Sequence, residues 1–165
     1  MTIISLFLRE LEAEALTTRK MLSLIPTDKL DWQPHPKSMV MRNLATHIAE
    51  LPTWITMGFT TAELDFAANE YKPTVVSNTE EVLAIFEKSL IDGRTQLVEE
   101  NALRLGETWI LRHGDTILWK SDRAGVARHA LSQIIHHRAQ LGVYLRLLDV
   151  PIPGSYGPSA DEQGF

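Results

Sequence analysis

The stretch that decides the fold is His129-Ala130-Leu131-Ser132-Gln133-Ile134-Ile135-His136-His137-Arg138-Ala139-Gln140-Leu141. Its apolar residues continue a stripe of Ala127, Leu131, Ile134, Ile135, Leu141, Leu145 and Leu148, which recurs at helical spacing. A long helix is predicted from about Asp122 to Leu148, stopped by Pro151 and Pro153. At about 100° per residue, Gln133 and His137 share a face one turn apart, and His129 precedes Gln133 on a slowly drifting row. His136 points about 100° away from His137. Arg138 falls almost within the apolar stripe, so its guanidinium needs a carboxylate partner or a polar cavity.

Upstream, the same periodicity repeats three times. Residues 2–25 carry Ile4, Phe7, Leu8, Leu11, Ala15, Leu22 and Ile25 at three- and four-residue steps, and Pro26 ends that helix. Pro26 to Ser38, with Trp32, Pro34 and Pro36, reads as an extended connection, and Ser38 as the N-cap of the next helix. The second helix carries Val40, Leu44, Ile48, Leu51 and Ile55, bends at Pro52 where a backbone donor is missing, and fades near Gly58 to Thr61. Residues 62–76 are ambiguous between a loop and a short helical extension. Ser77 and Glu80 have capping-box spacing before a third helix with Val82, Leu83, Phe86, Leu90, Leu97 and Val98 on its buried side. Between Glu107 and Lys120 two β-favouring runs flank His113-Gly114-Asp115, which predicts a small hairpin. Four amphipathic helices with a longer crossing segment pack most economically as an all-α four-helix bundle, here one domain over residues 1–165.

Composition narrows the chemistry. The 165 residues are 44% hydrophobic and 22% charged, the profile of a globular chain large enough for a core without disulfides. There is no cysteine beside six histidines, so thiolate metal sites, iron–sulfur clusters and cysteine nucleophiles are excluded. Metal or acid–base chemistry must come from imidazole, carboxylate or amide groups. A formal charge of −5 without a basic stripe argues against nucleic acid as a partner. The apolar run Ile3 to Leu8 is interrupted by Arg9, Glu10, Glu12 and Glu14, too early for a signal or membrane segment, and a cytoplasmic location is expected.

His47 sits at the edge of the second helix's apolar face, with Glu50 three residues on. Two helices each presenting an inward-flanking histidine, His47 and His137, is how bundle metal sites are assembled. The competing assignment for each is a hydrogen-bonded boundary residue. His35 and His113, in loops, are expected to be exposed, and His129 and His136 to be neighbours or surface groups.

Several ordered pieces of the chain resemble the DinB/YfiT-like family. Asp31-Trp32-Gln33-Pro34, then Ser38-Met39 and Asn43-Leu44-Ala45-Thr46-His47-Ile48-Ala49-Glu50, is similar to that family's Trp-x-Pro segment leading into a histidine on its second helix. Arg128-His129-Ala130 resembles the entry to its last helix, and His137-Arg138-Ala139-Gln140-Leu141 its His-Arg-Gly-Gln run. Val150-Pro151-Ile152-Pro153 with Asp161-Glu162 is like its tail. The resemblance covers nearly the whole chain and implies a four-helix bundle, often dimeric. It implies a divalent metal of the Zn, Ni or Mn class on three histidines, one on helix two and two at i, i+4 on the last helix.

Mapped here, those positions are His47, Gln133 and His137. Gln133 departs from the pattern: its amide oxygen is neutral and a poorer donor for zinc or nickel than imidazole. Three readings stay open: a weakened site of His47, Gln133 and His137, a site repaired by Glu50, or a vestigial pocket. His129, on the order of 12 Å along the axis from His137 at 1.5 Å per residue, is too far away to join. The resemblance further implies metal-dependent transferase or hydrolase chemistry on a small molecule. A low-molecular-weight thiol would have to be borrowed, since the chain has none. Arg138 would then orient an anionic group or form a structural salt bridge. The rival function is a non-catalytic, stress-related bundle that binds metal or a small molecule at a degenerate site.

Overall fold

The computed structural model describes residues 1–163, which are mostly helical with one small sheet. Helix α1 spans Ile3–Ser23 and starts on a capping box in which Thr2 and Ser5 satisfy each other's backbone donors. After it, α2 spans Met41–Glu50 and α3 Thr53–Thr60, α4 spans Thr79–Arg94, and α5 spans Arg123–Leu147. Short 3-10 turns occupy Thr27–Lys29 and Glu99–Arg104. Helix α1 packs against α4 and α5, while α2 and α3 pack against the other faces of the same two helices. The shared core is built from the predicted stripes: Leu11 and Leu22, Leu44 and Ile48, Phe86 and Leu90, Ile134 and Leu141 are all buried.

The predicted second helix is interrupted at Pro52, and the break is sealed by side chains. Thr53 Oγ1 donates to Glu50 O at 2.7 Å, and Ser89 Oγ on α4 donates to Ala49 O. Trp54 N and Ile55 N bond three residues back, to Leu51 O and Pro52 O, which tightens the turn. Helix α4 crosses close by: a Cβ on Gly93 would lie 2.7 Å from Pro52 O, so only glycine fits.

Two predicted caps are displaced. Ser38 does not cap α2. The N-cap is Val40, without a side-chain bond, because the backbone carbonyls of Trp32 and Leu30 accept from Met41 N and Arg42 N and leave no need for a hydroxyl. The capping pair of α4 is shifted by one from Ser77 and Glu80: Asn78 Oδ1 accepts from Glu81 N, and the Glu81 carboxylate accepts from Ser77 N. Helix α4 also ends at Arg94, earlier than Val98, which lies outside on the surface.

The predicted hairpin is present as β2, Thr108–His113, paired antiparallel to β3, Thr116–Asp122, with Gly114 at φ 55° in the turn. A third strand, β1, Glu63–Asp65, pairs parallel to β2 within the segment that was ambiguous in sequence. Trp109 on β2 is fully buried and its indole N–H donates to Thr61 Oγ1, fastening the sheet to the end of α3. Arg123, the first residue of α5, is buried there too. It donates to Gly58 O, Thr61 O and the Glu107 carboxylate, satisfying the carbonyls left open where α3 ends. Asp122 caps α5 through Gly125 N, and Asp149, at φ 57°, closes its far end. No helix among the described residues is long and apolar enough to cross a membrane.

Candidate functional site

Helices α2 and α5 bring His47 and His137 together, with ring centroids 4.6 Å apart and planes at 79°. This is the convergence that the two helical faces predicted. His137 is buried and its Nδ1 donates to Gln140 Oε1 at 2.7 Å, which leaves Nε2 as its lone-pair nitrogen. His47 is half-buried, and burial next to the His137 ring pushes its pKa down to about 4. Burial also lowers His137, with His136 adding to the effect and the Gln140 bond opposing it. Both rings are therefore neutral near pH 7, the state in which imidazole can coordinate a metal or accept a proton.

The other predicted participants fall in different places. Gln133 is half-buried one turn before His137, and among the described residues its amide makes no hydrogen bond. Glu50 turns away toward the loop after β1, where Tyr71 Oη donates to it at 3.3 Å and Thr74 Oγ1 donates to its other oxygen. Among the described residues no three His, Cys, Asp or Glu side chains converge on a point that could hold a metal ion. Arg138 faces α1: its Nη1 bonds Glu14 Oε2 at 2.5 Å and Thr18 Oγ1 at 3.1 Å. It is a buried salt bridge and not a substrate-orienting group.

His136 keeps the exposure expected of it, yet its ring edge meets His137 with centroids 4.8 Å apart, because neighbouring side chains on a helix can swing together through χ1. His129 is not a surface group. It is half-buried between Trp119 and Trp54, at centroid distances of 4.9 and 6.0 Å, and burial lowers its pKa, with Arg128 contributing. His35 and His113 are exposed, as read from the sequence.

Beside His47 opens a cavity of about 660 Å³. Trp54 and Met57 from α3, with Leu64 and Phe66 from β1 and the turn after it, form its apolar wall, and Glu50 and Tyr71 its polar part. A volume in this range suits a small molecule. Leu64 and Phe66 lie in the ambiguous segment, and their only sequence signal is the apolar alternation Leu64-Asp65-Phe66, too short to place a strand. Burial and the neighbouring Glu50 carboxylate push the Tyr71 hydroxyl up to about 12, so it remains a donor at neutral pH.

This fold is mostly helical, with a histidine from each of two helices meeting beside an apolar cavity. The DinB family profile matches residues 1–163, and the chain belongs to the DinB family. Three solved structures share the fold. A DinB-like protein of Bacillus subtilis is 18% identical, with TM-score 0.68, covering 96% of this chain and 99% of that one. A protein of Exiguobacterium sibiricum described as a DinB-family member is 21% identical, with TM-score 0.69 and 93% and 97% coverage. A DinB-like protein of Bacillus cereus is 18% identical, with TM-score 0.68 and 90% and 94% coverage. No curated protein matches the chain significantly.

Proposed function

We propose that this chain is a cytoplasmic, metal-dependent enzyme acting on a small molecule in the cavity beside His47, built as a four-helix bundle whose second helix is broken at Pro52. The observation that carries the reading is the contact of two neutral imidazoles, the buried His137 and the half-buried His47, the latter on the wall of that cavity. A divalent cation of the Zn, Ni or Mn class would be held by two strong donors and one weak one. His47 and His137 would supply the imidazoles, and Gln133, one turn before His137, its amide oxygen. Gln140 acts behind His137, fixing its tautomer as the outer partner of a ligating histidine does.

What such a cation supplies when bound is a lowered pKa for a coordinated water or low-molecular-weight thiol, serving hydrolysis or thiol-dependent transfer. Trp54, Met57, Leu64 and Phe66 exclude water from the substrate's apolar part. A homodimer pairing two bundles belongs to the same proposal.

The second reading is a non-catalytic binding protein with a degenerate site, and it is favoured by the lack, among the described residues, of a third ionisable donor beside the two histidines. Elemental analysis of untagged protein followed by metal titration separates the two. About one metal per chain in the wild type, lost in His47→Ala and His137→Ala, supports the enzyme. Little metal in the wild type but tight binding by Gln133→His supports the degenerate site. Failure of Gln133→His to bind overturns the assignment of these three residues.

A further inference from the structure

Glu50 is half-buried at the cavity and has no cationic partner among the described residues. The contrast with its peers is sharp. Glu12, Glu14 and Glu87, the other glutamates removed from full exposure, each face an arginine: Arg94, Arg138 and Arg19. Among the described residues, the Glu50 carboxylate is held by the hydroxyls of Tyr71 and Thr74 alone. These neutral donors orient the carboxylate without compensating its charge. Lys72, on the cavity wall, pairs instead with Glu70 at 3.6 Å.

A half-buried carboxylate on a cavity wall, left without a counter-ion, is free to take one from a ligand. Its surroundings narrow the kind of cation. Trp54, Phe66 and Tyr71 line the same cavity, and the negative faces of aromatic rings attract an organic ammonium as well as its hydrocarbon. Tyr71 and Thr74 are exposed, so the carboxylate lies toward the cavity mouth and the apolar wall lies within.

We infer that the cavity selects a small organic cation, an aryl- or alkylammonium whose charged end meets Glu50 and whose apolar body lies along Trp54, Met57 and Phe66. The inference rests on the cavity being the ligand site of the proposed function, and it stands apart from whether a metal is held at His47.

The test uses three probes of nearly equal shape, 2-phenylethylammonium, 2-phenylethanol and 3-phenylpropionate, titrated by calorimetry into wild type and Glu50→Gln. Wild type binds the ammonium about tenfold more tightly than the alcohol, the scale of one hydrogen bond to a charged group, and binds the carboxylate most weakly. Glu50→Gln removes that preference and keeps alcohol binding within about twofold, which also reports that the variant cavity is folded. Equal affinity for ammonium and alcohol in wild type, or a preference that survives in Glu50→Gln, overturns the cation assignment and leaves the cavity a ligand site. If none of the three probes binds, the cavity itself is refuted as that site.

Discussion

Arg138 and Glu14 are the most consequential charges in the interior, and cutting their bridge should reveal how much of the fold hangs on it. Arg138 is 3% exposed and Glu14 is 5% exposed. Besides the 2.5 Å contact with Glu14 Oε2, the guanidinium bonds Thr18 and Glu14 O, and it lies 5.6 Å from the Tyr156 ring, whose hydroxyl donates to the other Glu14 oxygen. Arg138→Met keeps most of the hydrocarbon volume but strands a buried carboxylate. Loss of one partner from such a pair costs about 3–5 kcal/mol. At roughly 2–4 °C per kcal/mol for a chain of this size, Tm should fall by about 10 °C.

Glu14→Gln should cost a similar amount by stranding the guanidinium. The double variant Arg138→Met with Glu14→Leu removes both charges and should recover to within about 1 kcal/mol of wild type, since a buried ion pair gains little over well-packed apolar groups. Urea unfolding followed by circular dichroism and tryptophan fluorescence gives each free energy, and the double-mutant cycle gives the coupling. A loss below about 1 kcal/mol in Arg138→Met, or simple additivity in the double variant, would refute the description of the pair as sealed and mutually dependent. Metal and probe binding by the folded Arg138→Met variant should match wild type, because the guanidinium faces α1 and not the cavity.

Acidification should weaken the fold through His47. Its folded pKa of about 4 lies below the unfolded value of 6.5, so the unfolded chain takes up the proton first, and stability present above pH 6.5 declines as pH falls toward 4. A sealed group would lose roughly 3 kcal/mol, and one that solvent reaches about 1–2 kcal/mol. The slope should flatten in His47→Gln, and an unchanged slope would contradict the assignment. Fluorescence should report His129 separately: protonation next to Trp119 and Trp54 should quench emission with a midpoint below 6.5, and His129→Gln should abolish the step. Gly93→Ala places a methyl group against Pro52 O and should cost about 1–3 kcal/mol, read as a lower Tm, whereas an unshifted Tm would mean that α4 can back away freely.

What could be read in the sequence follows the range of the forces involved. Helix α5 was legible because its apolar period, its Asp122 cap and the prolines beyond Asp149 all act within a few residues. The meeting of His47 with His137 was legible at one remove, since each sits on the flank of a stripe that must face a common core. Strand β1 was not, because its partner is β2, far along the chain, and three residues carry too little alternation to announce a pairing. Ser38 failed as a cap because backbone carbonyls from Leu30 and Trp32 reached the helix end first. His129 stayed open between a neighbour of the site and a surface group because two tryptophans from separate elements enclose it, and spacing within one helix cannot foresee them. Glu50 was legible as a neighbour of His47 on the same helix, but its hydrogen-bond partners lie in a loop with no periodic signature.

The interruption at Pro52 carries a consequence for how this chain can vary over evolutionary time. It turns the first residues of α3, Trp54 and Met57 among them, to the cavity while His47 on α2 keeps its place against α5. The same turn thrusts a peptide carbonyl at α4, where Gly93 alone makes room. Positions 52 and 93 are thus mechanically tied, so that a change at one constrains the other. A lineage that straightened the helix would remove the reason for that glycine and redraw the shape of the binding chamber in the same step, while a side chain acquired first at position 93 would push the two halves of the helix apart.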